Sequence, residues 1–163
     1  MPNNTHTLTT TPSFLASFKT VTKMGLSLSV VFSSIAGYLL AAETIHFPTL
    51  LLLAIGGYFM VGASNVFNQI IERDLDALMD RTKNRPIPVG HMSVTYAFVL
   101  AVILTVAGLS ILYSINERTA MFGAISICLY TSAYTPLKTK TPLSVFVGAI
   151  PGAIPFMLGW VAA

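Results

Sequence analysis

Five apolar stretches free of Asp, Glu, Lys and Arg divide the chain: residues 24–42, 44–71, 86–116, 119–137 and 141–163. A helix needs about 20 residues to cross a hydrocarbon core, so each stretch can supply one crossing. The second and third are longer than a crossing, and their helices fill only part of them. We place helices near 24–42, 49–75, 93–114, 119–135 and 142–163. The punctuation agrees: Pro48 and Pro142 suit first helical turns, Ser93 is a candidate N-cap, and Pro136 ends the fourth helix.

Composition removes the soluble alternatives. Hydrophobic residues make up 54% of the chain, charged residues 9%, and mean hydropathy is +0.74, values foreign to an ordinary soluble domain. The chain reads as an all-α integral membrane protein with about five transmembrane helices. Of its nine cations, eight lie before helix 1, between helices 2 and 3, or between helices 4 and 5, and only Arg118 falls on the other side. That asymmetry predicts a multi-pass topology with a cytoplasmic N-terminus. The net charge of +3 then reports topology and excludes nothing-but-charge partners such as nucleic acid. Residues 1–18, Thr-rich with Pro2 and Pro12, predict a disordered polar tail ahead of a single helical domain over 19–163. The tail lacks the Arg-rich pattern of a mitochondrial transit peptide, which points to a bacterial plasma (inner) membrane. Cys128 is alone, and small apolar packing is its expected role.

Against this background the segment 68–86, NQIIERDLDALMDRTKNRP, stands out. Glu72, Asp74, Asp76 and Asp80 are four of only six acids in the protein. Asn68, Glu72, Asp76 and Asp80 recur every four residues, so on one helix they form a row of oxygen ligands with about 6 Å between neighbours. Clustered carboxylates select Mg²⁺ or Ca²⁺ over zinc, and Mg²⁺ commonly combines one or two carboxylates with phosphate oxygens and water. Arg81, Lys83 and Arg85 follow at once and suit an anionic phosphate partner. A positive loop alone needs only topology to explain it, but the acids contribute little to orientation and remain unexplained. Carboxylates and cations beside an apolar bundle suit a ligand with a phosphate head and a greasy tail, such as a prenyl diphosphate.

The segment resembles the first acidic motif of the intramembrane aromatic prenyltransferases of the UbiA superfamily, an Asn followed by acids four and eight residues later, matched here by Asn68, Glu72 and Asp76. Asn68-Gln69, Glu72-Arg73-Asp74, Asp76, Met79, Arg81-Thr82 and Arg85-Pro86 are similar to one branch, the protoheme IX farnesyltransferases (haem O synthases). Tyr134-Thr135, Leu137-Lys138 and Thr141-Pro142 resemble that branch's YTxxLKRxTP stretch, and Gly148-Ala149, Gly152-Ala153, Pro155 and Gly159-Trp160 its fifth helix. Thr22-Lys23 resembles its TKPR signature with Met24-Gly25 in place of Pro-Arg, which weakens a binding role for that loop.

The resemblance implies Mg²⁺ held by Asn68, Glu72 and Asp76, with Asp80 a further candidate ligand, and catalysis centred on the same three residues. Arg81, Lys83, Arg85 and Lys138 would bind the diphosphate of farnesyl diphosphate. Haem B would be the acceptor substrate, alkylated on a vinyl group within the lipid bilayer. The family also implies about nine helices and a second Asp-rich motif. No such second cluster occurs, since Glu43 and Glu117 fall in opposite-side loops, so the chain reads as the front part of the bundle, with a missing C-terminal half supplied in trans as one possibility. His91 suits a loop contact with phosphate or haem propionate. The repeat Gly148-Ala149-Ile150-Pro151, Gly152-Ala153-Ile154-Pro155 reads first as a small-residue packing face. Two other functions stay open: prenyl transfer to a quinone or lipid precursor, and a non-catalytic scaffold or small transporter with acids lining an ion path.

Overall fold

A computed structural model of the protein describes residues 13–163. Among them the secondary structure is helical: α1 Phe14–Val21, α2 Met24–Ala41, α3 Phe47–Ile71, α4 Arg73–Leu78, α5 Val94–Ile115, α6 Glu117–Cys128, a π-helical segment Leu129–Tyr134, the single turn α7 Thr135–Leu137, and α8 Ser144–Ala162. The helices α2, α3, α5, α8 and the rod Glu117–Leu137 are each long and apolar enough to cross a membrane. The protein is a multi-pass membrane bundle, with Phe32, Phe47 and Phe146 among the large apolar side chains turned outward, as lipid requires.

Helix α3 packs between α2 and α5, α2 packs along α8, and α6 lies against α5 and α8. Tyr38, Leu53, Ala63 and Leu112 are fully buried where these helices meet. Backbones touch most closely at two glycines. A Cβ on Gly37 would collide with the Phe156 carbonyl, and one on Gly159 would collide with the Ser34 carbonyl. The small-residue repeat of α8 behaves differently from the packing face expected of it. Gly152 has no atom within 4 Å of a built Cβ, Gly148 faces the Tyr134 ring, and with Pro151 and Pro155 they line an open cavity.

Three other expectations change. The polar tail was to run through residue 18, yet α1 begins at Phe14, with the Ser13 hydroxyl accepting a hydrogen bond from the Ala16 N–H at 3.3 Å. Ser17 and Val21 are buried on its inner side, so a short amphipathic helix forms once a bundle is present to receive it. Residues 1–12 of that tail lie outside the described residues. Cys128 is exposed on the outer surface and is not packed inside. The helix expected over 49–75 breaks at Glu72, whose φ of −91° and ψ of 4° separate α3 from α4.

Candidate functional site

The break at Glu72 leaves the register of the acidic row intact for two steps. The Glu72 N–H still donates to the Asn68 carbonyl at 2.9 Å, and the Asp76 N–H to the Glu72 carbonyl at 2.7 Å. Asn68, Glu72 and Asp76 therefore share one inward side, and all three are buried. The row stops there. Met79 is extended, with φ −95° and ψ 127°, so α4 ends before Asp80. Asp80 is 97% exposed and pairs only with Lys83, at 2.7 Å. Arg81 is likewise exposed, so Asp80, Arg81 and Lys83 stay at the surface while Asn68, Glu72, Asp76, Arg85 and Lys138 come together.

Two buried carboxylates need compensation, since an uncompensated charge out of water is strongly unfavourable. Arg85 reaches Asp76 because the intervening loop curls back: the Thr82 hydroxyl donates to the Asp76 carbonyl at 3.0 Å, and the Arg85 N–H to the Thr82 carbonyl at 3.0 Å. Arg85 Nη1 then donates to Asp76 Oδ2 at 2.6 Å. Lys138, delivered by the turn after α7, donates to Glu72 Oε2 at 3.1 Å, and Asn68 Nδ2 donates to the same oxygen at 3.0 Å. Lys138 Nζ also lies 2.8 Å from Glu72 Oε1, so the ammonium sits against both carboxylate oxygens.

Asn68 is held from the far side of the bundle. The Thr135 hydroxyl faces two acceptors, Asn68 Oδ1 at 3.2 Å and the Tyr130 carbonyl at 2.9 Å, and its one proton serves one of them at a time. The π-helical segment makes this approach possible, because its wider turns place Thr135 beneath the Tyr130 carbonyl, five residues back.

A third cation was not expected here. Lys23, between α1 and α2, has a left-handed backbone with φ 48° and ψ 58° and is half-buried. It lies within electrostatic reach of Glu72, Asp76, Arg85 and Lys138 and makes no ion pair with a described residue. Burial, and then the neighbouring Arg85 and Lys138 charges, hold its ammonium below the ordinary lysine pKa, while Glu72 and Asp76 work in the opposite sense. Helix periodicity links Asn68 to Asp76 but has no way to place a residue from another helix beside them.

Next to Lys138 opens a cavity of about 530 Å³, walled by Leu26, Val30, Val61, Pro151 and Pro155, with the Tyr130 and Tyr134 rings on one side. Those rings stand 5.2 Å apart, tilted by 38°. The arrangement joins a charged, oxygen-rich end to a largely apolar hollow. Its donor set, one amide oxygen and two carboxylates, has the chemistry that suits a hard divalent cation. Among the described residues no third His, Cys, Asp or Glu joins Glu72 and Asp76, so other positions around such an ion would fall to phosphate oxygens or water.

Known proteins share this framework. A protoheme IX farnesyltransferase of Christiangramia forsetii is 70% identical over 161 residues, which are 99% of this chain and 54% of that protein. One from Flavobacterium psychrophilum is 68% identical over 97% of this chain and 54% of its own length. The chain thus spans about half the length of the curated relatives it matches. Among solved structures, a UbiA homolog from Archaeoglobus fulgidus bound to GPP and Mg²⁺ superposes with a TM-score of 0.79 at 18% identity, over 89% of this chain and 53% of that one. A digeranylgeranylglyceryl phosphate synthase gives a TM-score of 0.85 at 22% identity, over 91% and 53%. The pattern described as the UbiA prenyltransferase family matches residues 30–163, a stretch that holds Asn68, Glu72, Asp76, Arg85 and Lys138, and the chain belongs to that family.

Proposed function

We propose that this chain provides the diphosphate-binding half of a Mg²⁺-dependent farnesyltransferase that alkylates a vinyl group of haem B to give haem O. One observation carries the reading: buried Glu72 and Asp76 meet Lys23, Arg85 and Lys138 beside an apolar cavity. A farnesyl chain suits the hollow and a diphosphate suits the charged end. The relatives at 70% and 68% identity are named protoheme IX farnesyltransferases, which supports haem B as the acceptor.

Asn68, Glu72 and Asp76 would hold Mg²⁺ through oxygen, and the ion would supply positive charge to the diphosphate, which takes the electron pair of the allylic C–O bond as it leaves. Arg85 and Lys138, released from their carboxylates, turn to the diphosphate oxygens, and Lys23 adds a third positive charge. The Tyr130 and Tyr134 rings line the cavity, and aromatic neighbours favour a cationic prenyl carbon. The vinyl π electrons form the new C–C bond, and water adds to the resulting cation with loss of a proton. Asp80 stays outside this centre with Arg81 and Lys83, and the two cations suit first electrostatic contact with the substrate. In this reading the protein sits in a bacterial inner membrane with the charged end and N-terminus cytoplasmic, an orientation that the cation asymmetry supports, and a further set of helices, in the same polypeptide or in trans, completes the acceptor site.

The test is haem extraction from bacterial membranes that lack their own haem O synthase and express this chain, with Glu72→Gln as control. Haem O that depends on Glu72 is the expected result. Alkylation of a quinone precursor in its place would transfer the site to that acceptor, and Mg²⁺-independent behaviour with no farnesyl diphosphate binding would leave only a scaffold.

A further inference from the structure

Two buried amides of α3 are not used by the chemistry above. Gln69 Nε2 donates to the Val21 carbonyl at 2.7 Å, and Asn65 Nδ2 donates to the Thr22 carbonyl at 3.2 Å and to Ser27 Oγ at 3.3 Å. The Ser27 hydroxyl in turn donates to the Thr22 carbonyl at 2.8 Å. Val21 and Thr22 are the last residues before the break between α1 and α2, where helix-end carbonyls lack helical partners. The residue after them is Lys23, the only non-glycine residue with positive φ among the described residues. A left-handed backbone is unfavourable for a lysine and persists only where surroundings enforce it. Asn65 and Gln69 are one helical turn apart and each next to the acidic row, so the helix that carries Asn68 also fixes the turn that carries Lys23.

We propose that Asn65 and Gln69 are positioning residues: from α3 they hold the α1–α2 break in the conformation that brings Lys23 to the acidic site, and through Lys23 they set the affinity for prenyl diphosphate. This rests on the diphosphate-binding reading given above. Asn65 also borders the cavity, whereas Gln69 does not, so Gln69 carries the test.

A double-mutant cycle separates positioning from plain structural support. Gln69→Leu is the chosen variant because it removes the donor together with Gln69 Oε1, which is buried and unpartnered, and thermal unfolding in detergent checks that the fold is kept. Binding of farnesyl thiodiphosphate with Mg²⁺ is measured for the wild-type chain, Gln69→Leu, Lys23→Met and the double variant in membranes. Each single change is expected to weaken binding about tenfold, with little further loss in the double variant. Equal, additive losses would overturn the proposal, since Gln69 would then act independently of Lys23. Asn65→Leu is carried through the same cycle with the same expectation. A second readout is independent of the substrate: Lys23→Cys in a Cys128→Ser background, modified by an anionic thiosulfonate. Adding Gln69→Leu is expected to change the modification rate at least fivefold, and an unchanged rate would refute the hold on Lys23. If the rate changes but the wild-type chain binds no thiodiphosphate, the clamp stands, while its link to affinity and the diphosphate reading both fall.

Discussion

Lys138 and Glu72 lie 66 positions apart in the chain, and Lys138 Nζ sits 2.8 Å from Glu72 Oε1. The pair ties the end of α3 to the turn after α7. Replacing Glu72 with Gln keeps the shape and removes the charge. Metal affinity is expected to fall by about 10- to 100-fold or more, read as the Mg²⁺ dependence of diphosphate release. Unchanged dependence would remove Glu72 from the metal site.

Arg85→Met strands the Asp76 carboxylate, which is 4% exposed in its side chain. Loss of one partner of such a pair is expected to reduce stability by about 3 kcal/mol, seen as a lower midpoint of thermal unfolding in detergent. Adding Asp76→Leu is expected to recover most of that stability and none of the turnover, because a matched apolar pair replaces the charges without restoring a ligand.

Asp80→Ala is the contrasting case. Its exposed pair with Lys83 contributes less than about 1 kcal/mol, and both stability and Mg²⁺ dependence are expected to remain unchanged. A strong Mg²⁺ effect would return Asp80 to the ligand set.

Gly159→Ala places a methyl group against the Ser34 carbonyl where α2 and α8 touch. We expect about 1–3 kcal/mol of destabilisation from the forced separation, measured by thermal unfolding. Gly152→Ala, which meets open space, is expected to have a much smaller effect on the fold.

Lys23 gives a pH signature. Its ammonium titrates below the ordinary lysine value of 10.5 because it is buried beside Arg85 and Lys138. A lowered folded pKa means that the unfolded chain binds the proton more tightly, so this group's contribution to stability rises with pH through the window between the two pKa values. Diphosphate affinity runs the other way and falls as the ammonium is lost. Titrating farnesyl thiodiphosphate binding is expected to show an alkaline limb below pH 10.5 that Lys23→Met abolishes.

Much of this architecture was legible in the chain because lipid imposes a simple rule on helix length and charge. Five crossings follow from uncharged stretches, and Asn68, Glu72 and Asp76 follow from four-residue spacing. Extending that spacing to Asp80 failed because periodicity assumes a helix that Met79 ends. Lys23 and Thr135 were harder to find, since packing between helices, not spacing along one, brings them to Asn68 and the carboxylates. The Gly148 and Gly152 repeat has the composition of a contact face, and only the position of α8 shows that it borders a cavity.

The break between α3 and α4 falls on the very residue that offers a central carboxylate. Asn68 rides on one helix and Asp76 on the next, so two backbone angles of Glu72 act as the joint that sets the aim of its neighbours. Substitutions at this position therefore alter a charge and a hinge together. Glu72→Gly or Glu72→Pro would misdirect Asn68 and Asp76 whether or not the carboxylate matters, and only an isosteric exchange reports on the charge alone.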